Sequence, residues 1–259
     1  MTNNTLLFYI NDSEVTYDTI RDWEHKRLTA SKKLLSKNKT VKGSDTNPSE
    51  DKKMTSYSLA DEVLNLKLKI GTKELTHFLS FRYNLGNFMS SCAATLSRGN
   101  RKFSSIEILV PHSHLTPQQV MAKIENIMLV NTTEHLKINL GSNPDHYVLQ
   151  SVDPSVQEVL EFTGGSPLPT RFFAHYGEET GLKSKLSPGY TIQNPGVAKL
   201  PNGKIIGGMR HQVKQDRDGF RFKALVEFPS ILPAFMIKQH QLHLACEFGH
   251  WVSAVLEEN

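Results

Sequence analysis

The sequence predicts an α+β protein with a mixed helix and sheet body, a β-rich C-terminal part and a flexible basic N-terminal segment. Three observations predict it. Between residues 59 and 130 the apolar positions switch between helical spacing and strict alternation. From Ser166 onward Pro and Gly become frequent, and short apolar runs are separated by turns such as Pro201-Asn202-Gly203 and Asp216-Arg217-Asp218-Gly219. From Ser36 to Ser56 only Val41 and Met54 are apolar, which buries too little to offset the entropy of ordering.

The elements follow in order. Leu6 to Ile10 predicts a strand, and Asn11-Asp12-Ser13-Glu14 a turn. Thr16 caps a helix from Tyr17, with Ile20, Trp23, Ala30 and Leu34 on one face and the stem of Arg27 completing it. Residues 36–56 read as a flexible linker between this N-terminal unit, 1–35, and an α+β body at 57–162. The β-rich part, 163–259, can share one sheet system with that body.

Leu64, Leu66, Leu68 and Ile70 alternate as a half-buried strand. Leu75, Phe78, Leu79, Arg82, Leu85, Met89, Cys92 and Leu96 keep helical spacing, as one helix bent near Gly86 or two short ones. Phe103 to Val110 is a strand. Thr116, Pro117 and Gln119 stand as N-cap, first helical residue and capping-box partner of a helix reaching about Val130. Leu136, Ile138 and Leu140 predict another strand, and Asp153-Pro154 opens a short helix that Gly164-Gly165 ends. Gly207-Gly208 marks a strand bulge. Met209–Lys214 and Phe220–Phe228 form a hairpin, and Leu242, Leu244, Cys246 and Phe248 a last strand.

A chain of 259 residues needs no disulfide or metal to hold a core. Its two cysteines, Cys92 and Cys246, exclude a disulfide framework. Leu6 to Ile10 is too short for a signal-peptide core, and no run of about 18 apolar residues exists to span a membrane. The expected location is intracellular, cytoplasmic or nuclear. The net charge of +4 is uneven: residues 26–42 carry seven bases and no acid, between acidic flanks.

That charge pattern nominates anion-binding residues. Lys26, Arg27, Lys32, Lys33, Lys37, Lys39 and Lys42 form an arm suited to phosphate neutralisation by counterion release, or to an anionic lipid surface. Arg98, Arg101 and Lys102 crowd one loop. Strand alternation puts Arg210 on one face of the hairpin, and Arg221 with Lys223 on one face of its partner strand, opposite Phe220 and Phe222. The expected function is a non-enzymatic structural or binding protein that contacts nucleic acid or an anionic membrane surface and self-associates, as a viral matrix or nucleocapsid protein does. The alternative is a metal-independent phosphodiesterase using His114 and His243, one imidazole as base and one as acid. His240, His243 and Glu247 would line up as a metal triad on a helix, but the local alternation predicts a strand, where that spacing does not converge. No metal site or cofactor is therefore assigned. Phosphate-loop, dinucleotide, nucleophile-elbow and H-E-x-x-H motifs are absent.

Overall fold

The computed structural model describes residues 6–41 and 56–257. The chain begins with β1 (Leu7–Ile10), β2 (Ser13–Val15) and α1 (Tyr17–Leu35). Three helices follow: α2 (Ser56–Ile70), α3 (Thr72–Phe78) and α4 (Ser80–Leu96). Next come β3 (Arg101–Val110), α5 (Pro117–Leu129) and α6 (Thr133–Gly141). Six strands then run in succession: β4 (His146–Asp153), β5 (Val156–Glu161), β6 (Thr170–Tyr176), β7 (Ile192–Lys199), β8 (Ile205–Asp216) and β9 (Gly219–Pro229). The chain closes with α7 (Ala234–Glu257). The fold is α+β.

The strands make one antiparallel sheet in the order β2-β1-β3-β9-β8-β7-β6-β5-β4. It takes strands from the N-terminal segment, the body and the C-terminal part alike. The main core lies between one face of this sheet and α1, α5 and α7. Phe222 on β9 stacks on Phe248 of α7 at 4.9 Å, and Trp251 meets Phe248 edge-on at 4.9 Å. A second core joins α1, α2 and α3 to the other face of β4 and β5, through Leu59, Val63, Leu75, Val148 and Leu160. Alternation on β5 thus sends Val159 into one core and Leu160 into the other.

Local signals with a complete mechanism hold. Thr16 accepts from the Thr19 amide at 3.3 Å, and Thr116 and Gln119 make the full capping box. The hairpin turns at Asp216–Gly219 as expected. The expected bulge at Gly207-Gly208 is displaced: both glycines pair regularly with Ala198 and Val197, and the register shifts at Ile206, between Gly207 and Ile205.

Four expected elements differ. Leu64–Ile70 belongs to α2, because Leu59, Val63, Leu66 and Ile70 make a buried helical stripe that outweighs the alternation. Leu136–Leu140 is helix α6, started by Thr132 accepting from the His135 amide at 3.0 Å. The segment after Asp153 is strand β5. Asp153 Oδ1 accepts from the Ser155 amide at 3.3 Å, closing a hairpin turn rather than opening a helix, and β6 pairs along the other edge. Leu242–Phe248 lies inside α7, whose buried positions Leu244, Phe248, Trp251, Val252 and Val255 keep helical spacing. The expected single or double helix at 75–96 is two, α3 and α4, meeting at Leu79.

Residues 36–41 continue α1 as turns, with Asn38 and Val41 buried. The remainder of the expected linker up to residue 55, with Lys42, lies outside the described residues. No helix among the described residues is long and apolar enough to cross a membrane.

Two glycines set close approaches. A Cβ on Gly164 would lie 2.6 Å from the His240 Cβ, so its bare backbone, at φ +51°, lets α7 seat on the 163–165 turn. A Cβ on Gly86 would lie 2.0 Å from the Pro169 carbonyl oxygen, so α4 rides directly on the chain leading into β6.

Arg27 ties α1 to the body through a bidentate pair with Asp145, which is almost fully buried; Nε and Nη2 lie 2.7–3.0 Å from the carboxylate oxygens. Arg27→Ala leaves that carboxylate without its partner. Urea unfolding should show a loss of about 3–5 kcal/mol, partly recovered by adding Asp145→Asn. His211 is buried among Tyr176, Phe222 and Phe248, and lost hydration pushes its pKa down to about 3. The unfolded chain regains the ordinary value and takes up the proton as pH falls below 6.5. Stability from this ring is whole above that pH and declines towards pH 3, by up to about 1.4 kcal/mol per pH unit. His211→Phe should flatten the fall of unfolding free energy over this range. An unchanged slope would refute the assignment.

Candidate functional site

A cavity of about 470 Å³ lies between α4, α7 and the face of the sheet formed by β4–β9. Its walls are mainly apolar. Two small residues on the strands, Ala174 and Ala198, line it where larger side chains would take up space. Phe172 and Leu244 line its sides. At the rim Met89, Leu96 and Ile231 both line the cavity and stand exposed to solvent. The volume suits a ligand of drug or lipid-fragment size.

Among the ionisable side chains that line the cavity are Glu161 at the end of β5, and His240, His243 and Glu247 on α7. On α7 their spacing of three and four residues puts the last three on one face. His146 completes the group from β4, directly across the ladder from Glu161. His243 Nε2 lies 3.8 Å from Glu161 Oε2 and 3.7 Å from Glu247 Oε2. His146 Nε2 lies 3.5 Å from Glu161 Oε2 and 3.6 Å from Glu247 Oε1. The His240 and His243 rings stack at 5.1 Å.

Burial governs the protonation of this group. It raises Glu161 to about 7 and Glu247 well above the usual carboxylate range. It lowers His146 and His240 to about 3 and His243 well below its ordinary value. Near neutral pH the imidazoles are uncharged bases facing carboxyl groups with a strong tendency to hold their protons.

Neighbouring contacts fix the rings. His146 Nδ1 sits 3.1 Å from the Asn139 carbonyl, so it carries the proton and leaves Nε2 a bare acceptor. His240 Nδ1 pairs with Ser104 Oγ at 2.9 Å. Thr163 Oγ1 donates to Glu161 Oε1 at 3.0 Å, leaving Oε2 for the imidazoles. Asn143 Nδ2 donates to the His243 carbonyl at 3.1 Å. Beneath the group, Lys67 donates to the Leu140 and Asn143 carbonyls at 2.8 and 3.0 Å, and burial brings its pKa down to about 7.

The expected anion-binding residues are scattered. Lys26, Lys33, Lys37 and Lys39 are exposed on or just after α1. Arg27 is engaged with Asp145, and Lys32 pairs with Glu62 at 2.9 Å. Arg98 is exposed at the end of α4, while Arg101 lies 3.7 Å from Glu227 and Lys102 donates to the Leu232 carbonyl. Arg210 is buried under the 177–191 segment, bonded to Glu179 and Ser184. Arg221 pairs with Asp216 and Glu107, and Lys223 with Glu107. Of the two expected histidines, His114 is exposed before α5 and His243 is buried in the cavity group.

The α7 spacing of His240, His243 and Glu247 was the one sequence signal for this site. His146 and Glu161 carried none, because they meet it only through the ladder between β4 and β5. No protein-family model and no curated protein matches the chain.

Proposed function

We propose that this protein binds a small, mainly apolar molecule in the cavity between α7 and the sheet, and exchanges it at an anionic membrane surface. The cavity carries the reading: an apolar space of ligand size, open at one rim and polar at its inner group. The ligand's apolar body would lie along Phe172 and Leu244, and an oxygen-bearing end would reach Glu161 and His243.

The rim supports the membrane part. Phe81, Leu85, Phe88, Met89 and Leu96 fall within roughly a 100° arc of α4, and Phe81, Phe88 and Leu96 are 82%, 63% and 67% exposed. Ile231 and Phe235 add exposed apolar surface where the chain enters α7, and the Ile231 amide bonds to Ser97 Oγ beside Leu96. No acid occurs between Glu74 and Glu107, or between Glu227 and Glu247. Arg82, Arg98 and Lys238 are exposed on those stretches. An apolar patch edged by bases complements an anionic bilayer, with about 1 kcal/mol from each base near the surface. Of the expected partners, the anionic membrane surface fits this rim.

Two measurements test the reading. Native mass spectrometry and organic extraction of the purified protein should find an apolar molecule, and anilinonaphthalene sulfonate should compete with it. Ala198→Trp, which fills the cavity, should weaken probe binding at least about tenfold. Equal binding would sink the cavity assignment. Sedimentation with phosphatidylcholine vesicles should increase when phosphatidylserine is included. The double variant Phe81→Asp, Phe88→Asp, at exposed positions outside the cavity lining, should abolish that increase while leaving probe affinity unchanged. Undiminished sedimentation would remove the rim from the proposal.

A further inference from the structure

We propose that His146, Glu161, His243 and Glu247 form a binding site for one divalent first-row transition-metal ion, with Zn2+ the best match to two imidazoles and two carboxylates. The geometry carries it. The four imidazole–carboxylate separations, 3.5, 3.6, 3.7 and 3.8 Å, are too long for good hydrogen bonds. They approach the donor-to-donor edge of a tetrahedron with metal–ligand bonds near 2.1 Å, which is about 3.4 Å. One ligand atom from each of His146, His243 and Glu247 lies within 4.8 Å of the others, and so does one from each of Glu161, His240 and His243; the two trios share His243.

The second observation is an orphaned donor atom. His146 is fully buried, and its Nε2 has no hydrogen-bond partner. The Asn139 carbonyl at Nδ1 fixes the tautomer that presents the Nε2 lone pair to the group, as the outer partner of a ligating histidine does. Thr163 does the same for Glu161, holding Oε1 and leaving Oε2 turned towards both imidazoles. Glu247 offers Oε1 towards His146 and Oε2 towards His243, so both its oxygens are available to one ion. His240, whose Nδ1 is held by Ser104, stands beside the four.

Charge points the same way. Two carboxyls sit deep in the core, and the two cations that act on this region are engaged elsewhere, Arg27 with Asp145 and Lys67 with two carbonyls. A divalent cation neutralises both carboxylates. By contrast, Glu24 and His250, in another His and acid cluster, already close a direct hydrogen bond at 2.8 Å.

Glu161, His243 and Glu247 line the cavity, so a fifth coordination position, reached by expanding the shell, would face it. There the ion would take an oxygen donor, a carboxylate or carbonyl, from the cavity's occupant. This last step rests on the cavity reading; metal binding itself does not, and is measured without any ligand.

The test uses the full chain, freed of metal by a chelator and titrated with Zn2+ by calorimetry and with Co2+ by its visible d–d absorption. One ion per chain should bind, with Co2+ bands of low-symmetry tetrahedral intensity and a raised melting temperature. Glu161→Gln and Glu247→Gln are near-isosteric, so they should fold. Each should lower Zn2+ affinity by about 100-fold or more. His211→Gln, a buried imidazole outside the group, should leave it unchanged. No uptake of either ion by the metal-free protein would overturn the proposal. So would uptake of equal affinity in both glutamine variants.

Discussion

The contact between α7 and the antiparallel sheet organises the main core, and α1, α5, α6 and the 163–165 turn all pack against the same helix. α7 is 24 residues long and meets β3 along its ladder, α1 through Trp23 donating to Gln239 at 3.0 Å, and the 163–165 turn through Gly164. Its C-terminal half packs Phe248, Trp251, Val252 and Val255 into the core, each burial contributing about 1.5–3 kcal/mol of transfer free energy. Its N-terminal half does not close on the sheet in the same way. There the strands carry Ala174 and Ala198, too small to reach across, and residues of α4 line the remaining space. One helix therefore acts as a tight clamp at one end and as the roof of a cavity at the other.

This division explains where polar groups are tolerated. A buried ionisable side chain is costly unless it is paired or kept neutral. Asp145 meets a bidentate Arg27, and Lys67 caps the end of α6 with two carbonyl bonds. Both arrangements are local and complete. The group around His243 is different, since its separations are all beyond good hydrogen-bond length while every member is buried. Outer contacts from Asn139, Ser104 and Thr163 nevertheless hold it in one geometry. Rigid support combined with unsatisfied inner atoms distinguishes a site from a structural network.

Much of the fold was legible in sequence wherever a signal was self-contained. The Thr116 capping box, the Thr16 cap and the Asp216–Gly219 turn each require only neighbours in the chain, and each formed as read. Alternation was the misleading signal. In α2 the series Leu64, Leu66, Leu68, Ile70 and in α7 the series Leu242, Leu244, Cys246, Phe248 look like strands over seven residues. Over the whole segment the deeper burial follows a 3.6-residue repeat, which a short window does not reveal. That error hid the site. Read as a helix, His240, His243 and Glu247 converge; read as a strand, they diverge. The basic run was equally visible as charge, but not as structure, because Asp145 and Glu62, which engage Arg27 and Lys32, lie far along the chain or across a helix pair.

The cavity and the polar group are one feature rather than two. Unfilled apolar space weakens a fold, by a few kcal/mol for a void the size of one large side chain. Substituting larger residues at Ala174 or Ala198 would remove that cost with ordinary chemistry. Keeping the space open is consistent with an occupant that restores the lost contacts when it binds. Such an occupant needs an entrance, and the exposed apolar stripe of α4 adjoins the rim. It also needs something to hold its polar end, since an oxygen drawn into an apolar cavity loses its water. Glu161, His243 and Glu247 are the side chains placed to replace that water. For such an occupant the apolar wall would supply affinity and the buried polar group orientation, and the seating of α7 against the sheet places both.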